Sequence, residues 1–337
     1  MINRRSFFKQ GGLAGLGLAA ASLAVSRAVA DPDPAPGSKP LSPGARTLPD
    51  PEIYPFQLGG REAFVVHDGS IQFPGIQPIF APEAGTAELD ALLQKQFLPA
   101  DHLALSVNVL VVKSADGVQL FDGGAGGSMG PSAGRLVAGL ARIGIAPGEV
   151  KTVFVTHAHP DHIAGLLQEN HPVFPSARIV ASKTEVDFWT GAAPDLSGTR
   201  LPPEMRAQAA ASIKGLLNNL SPALDLKGPG KVASNVELIA SPGHTPGHAL
   251  FLVSEGDDKL MVIGDIVHAW ALQFAHPEWT MAFDTDPKQA IATRRKFFQQ
   301  LASDRMAVSA YHLPFPGLGH VRTAGKDFEW AARPWVV

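Results

Sequence analysis

The stretch Thr156 to Gly165, THAHPDHIAG, places three histidines and an aspartate within six positions. Neutral imidazole and ionised carboxylate at this density suit a divalent metal, because both are good ligands for zinc and its neighbours. His157 and His159 follow an apolar run, Thr152 to Thr156, that reads as a strand. Side chains at i and i+2 on extended backbone project to the same side, so both can reach one ion. Asp161 and His162 fall where the chain turns into a helix at Ile163-Ala164-Gly165, which sets the aspartate near a helix N-terminus, pointing at a second ion. Alternation thus divides the motif between two neighbouring metals.

The remaining ligands must come from elsewhere, and the chain has no cysteine, so His, Asp and Glu are the only strong protein ligands left. ASPGHTPGH sets His244 and His248 after a strand, in a loop held tight by glycines and prolines, and AYHLPFPGLGH sets His312 directly after another strand. The very apolar MVIGD ends in Gly264 and Asp265. A carboxylate there is costly unless a cation or hydrogen bonds meet it, so Asp265 reads as a ligand. His67, His102, His171 and His276 stand alone and read as structural. The missing cysteines also exclude disulfides and thiolate nucleophiles, and no G-x-S-x-G elbow is present for a serine nucleophile.

The elements that must position these residues are strands and helices in both halves of a 337-residue chain with 45% hydrophobic content, enough for one large core. EAFVVHDG, ALSVNVLVVKSADGVQLFDGG with a hairpin turn at Ala115-Asp116-Gly117, TVFVTHAH, NVELIASPGHTPGHALFLVS and KLMVIGDIVH read as strands. Helical patterns cover Gly134 to Ile145, Pro203 to Leu217 and Asp286 to Ser303, the last with Asp286 and Pro287 as N-cap and first residue. This predicts two sheets with helices outside, an α/β layered class. Lys and Arg (28) nearly balance Asp and Glu (31), with no basic stripe, which argues against a nucleic-acid partner. Residues 1–30 carry Arg4-Arg5, a mild Gly/Ala/Leu stretch and Ala28-Val29-Ala30, and resemble a twin-arginine export signal cleaved after Ala30. The stretch is barely long enough to span a bilayer, so no stable membrane anchor and a periplasmic or secreted location are expected. Residues 31–50 are Pro-rich and read as a tether, with the folded domain over 51–337.

THAHPDH, GHTPGH, the GD of MVIGD and a late histidine resemble together the metallo-β-lactamase superfold, over nearly the whole of Pro51 to Val337. The resemblance implies a four-layer αββα sandwich with its site at one edge of the sheets. It implies that His157, His159 and His244 hold one metal, that Asp161, His162 and His312 hold the other, and that Asp265 bridges both. His248 is similar to a structural histidine that supports the ligands. Two divalent ions, zinc foremost with manganese, cobalt or iron also accepted by such donors, would then share a hydroxide that attacks the substrate.

Within that superfold, FDGGAG, EVDFW ending at Trp189, and AYHLPFPGLGHVR resemble the methyl parathion hydrolase branch, whose members are secreted, dinuclear and often dimeric. The resemblance implies a homodimer and a small-molecule lactone, aryl ester or organophosphate substrate, with Trp189 either walling the leaving-group pocket or serving as plain core. The sequence departs from the organophosphate specialist at Met129 and at Arg206-Ala207, and by His268 close after the bridging aspartate, with Met281 and Phe283 expected in the same pocket. A tighter pocket of this kind fits a flat carbonyl better than a tetrahedral phosphotriester. The expected activity is therefore a lactonase or aryl esterase with weak phosphotriesterase activity, in which Asp265 and His268 are catalytic and His268 either donates the leaving-group proton or only orients substrate. An organophosphate hydrolase and a non-catalytic metal-binding protein of the same fold are the alternatives. Aromatic lactones are favoured over acyl-homoserine lactones, since no acyl-chain channel is visible in the sequence.

Overall fold

The computed structural model describes residues 50–334. The expected signal over residues 1–30 and the tether up to residue 49 lie outside the described residues, as do residues 335–337. Two seven-stranded sheets form the body. The first is built from β1 (Ile53–Leu58), β2 (Arg61–Phe73), β3 (Leu103–Ser114), β4 (Gly117–Phe121) and β5 (Val150–Val155). A small hairpin of β6 (Leu167–Gln168) and β7 (His171–Pro172) intervenes before β8 (Arg178–Ser182) and β9 (Leu224–Lys227) complete that sheet. The second runs in chain order through β10 (Gly230–Ala233), β11 (Val236–Ala240), β12 (Ala249–Glu255), β13 (Asp258–Val262), β14 (Ala307–Ser309), β15 (Leu318–Ala324) and β16 (Asp327–Ala332). The α-helices are α1 (Thr86–Lys95), α2 (Leu136–Arg142), α3 (Pro160–Ile163), α4 (Lys183–Thr190), α5 (Pro203–Leu220), α6 (Trp270–Gln273) and α7 (Pro287–Ser303).

Period-two alternation along the strands sorts side chains into the layers. On β3, Val107, Val109 and Val111 join Leu136, Leu140, Val186 and Leu217 beneath the helices of the first half, while Leu110 and Val112 join Phe121, Phe154 and Phe251 between the sheets. Beyond the second sheet, Phe297, Phe298 and Leu301 of α7 pack on Leu250, Met261 and Val308. The order is helix, sheet, sheet, helix, the expected αββα sandwich. Burying one such aromatic ring contributes about 1.5 to 3 kcal/mol. Helix α7 begins as expected, with Asp286 accepting from the Gln289 N–H at 3.0 Å and Pro287 opening the first turn. The first helix of the sequence reading is shorter than expected: Gly134 has a φ of 90° and its N–H is drawn to Asp68, which keeps the start at Leu136.

Strand polarity brings the site together. β4, β5, β8 and β9 pair in parallel, so the carboxyl ends of β4, β5 and β8 share one edge of the first sheet. β13 and β14 are the parallel pair of the second sheet and deliver Asp265 and His312 from their carboxyl ends. The C-terminal segment packs on its own chain, β16 pairing with β15 and Phe328 entering the core.

Candidate metal centre

Strand β5 ends at Val155, so His157 and His159 lie in the loop beyond it rather than on the strand itself. His159 keeps extended backbone (φ −65°, ψ 150°) and caps a single helical turn, with Pro160 at its first position. That turn starts earlier than Ile163, placing Asp161 and His162 within it. Three donor groups form among the described residues, each with ligand atoms within 4.8 Å of one another: His157, His159, His244 and Asp265; Asp161, His162 and His312; and Asp265, His268 and His312.

The separations suit metal ligation. Nδ1 of His159 lies 2.9 Å from Nε2 of His157 and 3.0 Å from Nε2 of His244. Nε2 of His312 lies 3.2 Å, and Nε2 of His162 3.5 Å, from Oδ2 of Asp161. Two ligands roughly 2.0 to 2.1 Å from a tetrahedral ion stand roughly 3.3 Å apart. Asp265 sits between the groups, Oδ2 facing His157 at 3.6 Å and His244 at 3.4 Å, Oδ1 facing His162 at 3.3 Å. His162 Nε2 and Asp265 Oδ1 are buried with no hydrogen-bond partner among the described residues. Such orphaned atoms cost about 1 to 3 kcal/mol each, and a cation would satisfy both. The donor set therefore fits two divalent ions.

The charges agree. Burial pushes His157 down, His159 and His248 down to about 3, and His268 down to about 4. Burial also acts on His162, His244 and His312, but carboxylates overcome it, chiefly Asp265: His162 is raised, His244 to about 9 and His312 to about 10. Asp161 and Asp265, despite burial, are held well below the usual carboxylate range by the imidazoles around them, foremost His162 for Asp161 and His312 for Asp265. The field calls for positive charge, which a metal supplies without protons.

Four of the candidate ligand rings are fixed through Nδ1. His162 faces Asp122 at 2.9 Å, His244 faces Asp284 at 2.8 Å, His157 faces the Thr156 hydroxyl at 3.1 Å, and His312 donates to the Ser106 carbonyl at 2.9 Å. His248 holds the backbone, its Nε2 accepting from the Asp265 N–H at 2.9 Å while Ser241 binds Nδ1. Asp122 and Asp284 were not singled out in the sequence. Asp122 had a signal, since FDGG also ends an apolar strand in a carboxylate; Asp284 had none. Because partners of metal-bound histidines set ring orientation, Asp284→Asn should weaken metal retention about 10-fold to 100-fold, read by competition with a chelator. Unchanged retention would show that the His244 ring is held by other means.

Glu185, also unforeseen, joins the two histidine loops. Its Oε1 accepts from the Ala158 N–H at 2.9 Å and from Trp189 Nε1 at 2.8 Å, and its Oε2 from the Thr245 hydroxyl at 2.7 Å and the Gly247 N–H at 3.0 Å. A Cβ at Gly247 would lie 2.1 Å from the Glu185 backbone nitrogen, so only glycine permits this approach.

A cavity of about 230 Å³ opens on the centre, bordered by His159, Asp161, His244, Asp265, His268 and His312. All five residues expected to touch substrate line it: Met129, Trp189, His268, Met281 and Phe283. Trp189 is 2% exposed, with its ring 5.8 Å from that of His159. Arg206 and Ala207 are not in the wall; the Arg206 guanidinium is bonded to the Leu201 and Thr199 carbonyls, and Met205, Gln208 and Ala209 of the same helix face the cavity instead. Ile71, Phe73, Leu105 and Ile213 extend an apolar wall that the sequence did not reveal.

The sequence profile of the Metallo-beta-lactamase superfamily matches residues 103–312. Among solved structures the chain is similar to AidC, a dizinc quorum-quenching lactonase in complex with the product N-hexanoyl-L-homoserine, at 33% identity and a TM-score of 0.82, covering 85% of this chain and 98% of that one. It is similar to the hydrolase AbOPH in the beta lactamase superfamily at 27% identity and a TM-score of 0.78, covering 85% and 99%. A probable metal-dependent hydrolase from Staphylococcus aureus shares the fold at 19% identity and a TM-score of 0.67, covering 84% and 100%. With the profile matched over more than half its length and the His/Asp cluster at the sheet edge, the chain belongs to the metallo-β-lactamase superfamily.

Proposed function

We propose that the protein is a dinuclear metal-dependent hydrolase of lactones and aryl esters that carry an apolar substituent. The observation that carries this reading is the apolar cavity opening directly onto the paired His/Asp groups. His157, His159 and His244 would hold one ion, Asp161, His162 and His312 the other, and Asp265 both, with zinc as the first candidate. Bound ions would polarise the substrate carbonyl and lower the pKa of water so that hydroxide is available near neutral pH.

The protein's own side chains bind and orient. Trp189, Met129, Met281 and Phe283 exclude water around a flat ring or an acyl chain. The apolar wall favours an acyl-substituted lactone more than the sequence did, and the likeness to AidC supports the same choice. His268 lies with Nε2 3.0 Å from Asp265 and borders the cavity, so a neutral ring there orients substrate rather than storing a proton. His268→Leu should lower lactone turnover relative to methyl paraoxon turnover about tenfold; an unchanged ratio would remove His268 from substrate selection. Phosphotriester hydrolysis is a weak side activity in this reading. The twin-arginine-like residues 1–30 support export to the periplasm, and the methyl parathion hydrolase resemblance supports a homodimer.

The test is parallel turnover of the metal-loaded protein on an acyl-homoserine lactone, dihydrocoumarin, an aryl acetate and methyl paraoxon, each with a chelated control. Chelator-sensitive lactone turnover should lead by at least about a hundredfold, or about 2.7 kcal/mol in barrier. Leading phosphotriester turnover would overturn the substrate assignment and leave the metal centre standing.

A further inference from the structure

A second cavity, of about 220 Å³, reaches the same centre by another route. Leu105, His268 and His312 line both cavities, so the two cavities meet at these three side chains. The rest of its wall comes from Leu98, Pro99, His102 to Ala104 and Ala269 to Ala271, none of which borders the first cavity. A cavity of roughly 150 Å³ can hold a benzene ring, so this one has room for a single ring or a short alkyl chain. At this junction, Nδ1 of His268 is buried and has no hydrogen-bond partner among the described residues. With Nε2 directed at the Asp265 carboxylate, the ring is held by that contact at the junction of the two cavities.

We propose that the second cavity receives the alcohol side of the scissile ester, an inference that rests on the hydrolase reading above. With the carbonyl at the metal centre and the acyl substituent in the first cavity, the group on the leaving oxygen passes His268 into the second. The carbonyl carbon gains a bond to the oxygen of water and loses its bond to the leaving oxygen, which takes up a water proton. The substrates selected are aryl esters and lactones that carry a short alkyl group on the carbon next to the ring oxygen.

The test uses the full-length metal-loaded protein. Trp270 lines the second cavity, so 4-bromophenol, an alcohol-side mimic with a heavy atom, should quench a saturable part of the tryptophan emission that is missing in Trp270→Phe. Ala104 lies exposed on the cavity wall and Ala271 is buried in it. Ala104→Phe, and Ala271→Phe if it folds, should each raise the quenching midpoint about tenfold or more, a size typical of steric exclusion from a fitted pocket. The same variants should lower kcat/KM about tenfold for a γ-alkyl lactone and leave a γ-unsubstituted acyl-homoserine lactone within about twofold. Absence of saturable Trp270 quenching, or a parallel loss on both lactones in Ala104→Phe, would overturn the assignment. Quenching that Ala104→Phe relieves, in a protein that turns over no lactone, would instead uphold the binding site and sink the hydrolase reading.

Discussion

Asp265→Asn is expected to fold, to hold fewer than two ions per chain and to lose at least about three orders of magnitude in kcat/KM. The side chain is 3% exposed, and its carboxylate oxygens face five imidazole Nε2 atoms, His157, His162, His244, His268 and His312, at 3.6, 3.3, 3.4, 3.0 and 3.4 Å. Asparagine keeps the shape, removes the charge and replaces one oxygen by an NH₂ that cannot ligate. Both metals would then lose their common ligand, and loss of the electrostatic stabilisation they provide accounts for about 4 kcal/mol in the barrier. Metal content by atomic emission, read beside the kinetics, decides the matter. Two retained ions with activity within tenfold of wild type would refute a bridging role for Asp265.

Arg294→Met should lower folding stability by about 3 to 5 kcal/mol, the usual cost of taking one partner from a buried charged network. Arg294 is 1% exposed in α7, and its guanidinium donates to the carbonyls of Ile266 at 2.6 Å, Pro277 at 2.7 Å and Trp279 at 3.0 Å, with Asp284 3.9 Å away. Methionine fills much of the volume but leaves three carbonyls and a buried carboxylate without their cation. Ile266 directly follows Asp265, and Asp284 orients His244, so metal retention should weaken together with stability. Urea unfolding monitored by circular dichroism measures the first effect and chelator competition the second. A change below about 1 kcal/mol would mean that water replaces the guanidinium at those carbonyls.

The sequence disclosed the parts of the site whose chemistry is local. His157, His159, Asp161 and His162 follow from spacing within one loop, and His244 and His312 from glycine- and proline-rich turns after strands. The helix starting at Pro287 was legible for the same reason, since Asp286 and Pro287 act on their immediate neighbours. Glu185 and Asp284 left no readable trace because the partners that tie them to the centre are remote in sequence: the backbone and hydroxyl donors of the two histidine loops lie 27 to 62 residues from Glu185, and His244 lies 40 residues from Asp284. The apolar wall was hidden similarly: Ile71, Leu105 and Ile213 each satisfy an ordinary core pattern, and only the packing of β2, β3 and α5 against the centre makes them face substrate. Arg206 and Ala207 were matched to pocket positions of the methyl parathion hydrolase branch, but the register of their helix, which the sequence does not set, turns Met205, Gln208 and Ala209 to the cavity instead.

The Nδ1 contacts of His157, His162, His244 and His312 all come from groups of the chain itself, and Glu185 ties the two loops together. On the proposed reading such a centre would act as a chelator pre-assembled by folding. Capture of an ion then requires little chain ordering, in contrast to small zinc domains that fold only when loaded. Exchange of one divalent ion for another should proceed without unfolding, and the resident metal would be decided by ion size, ligand hardness and the supply in the compartment where the chain folds.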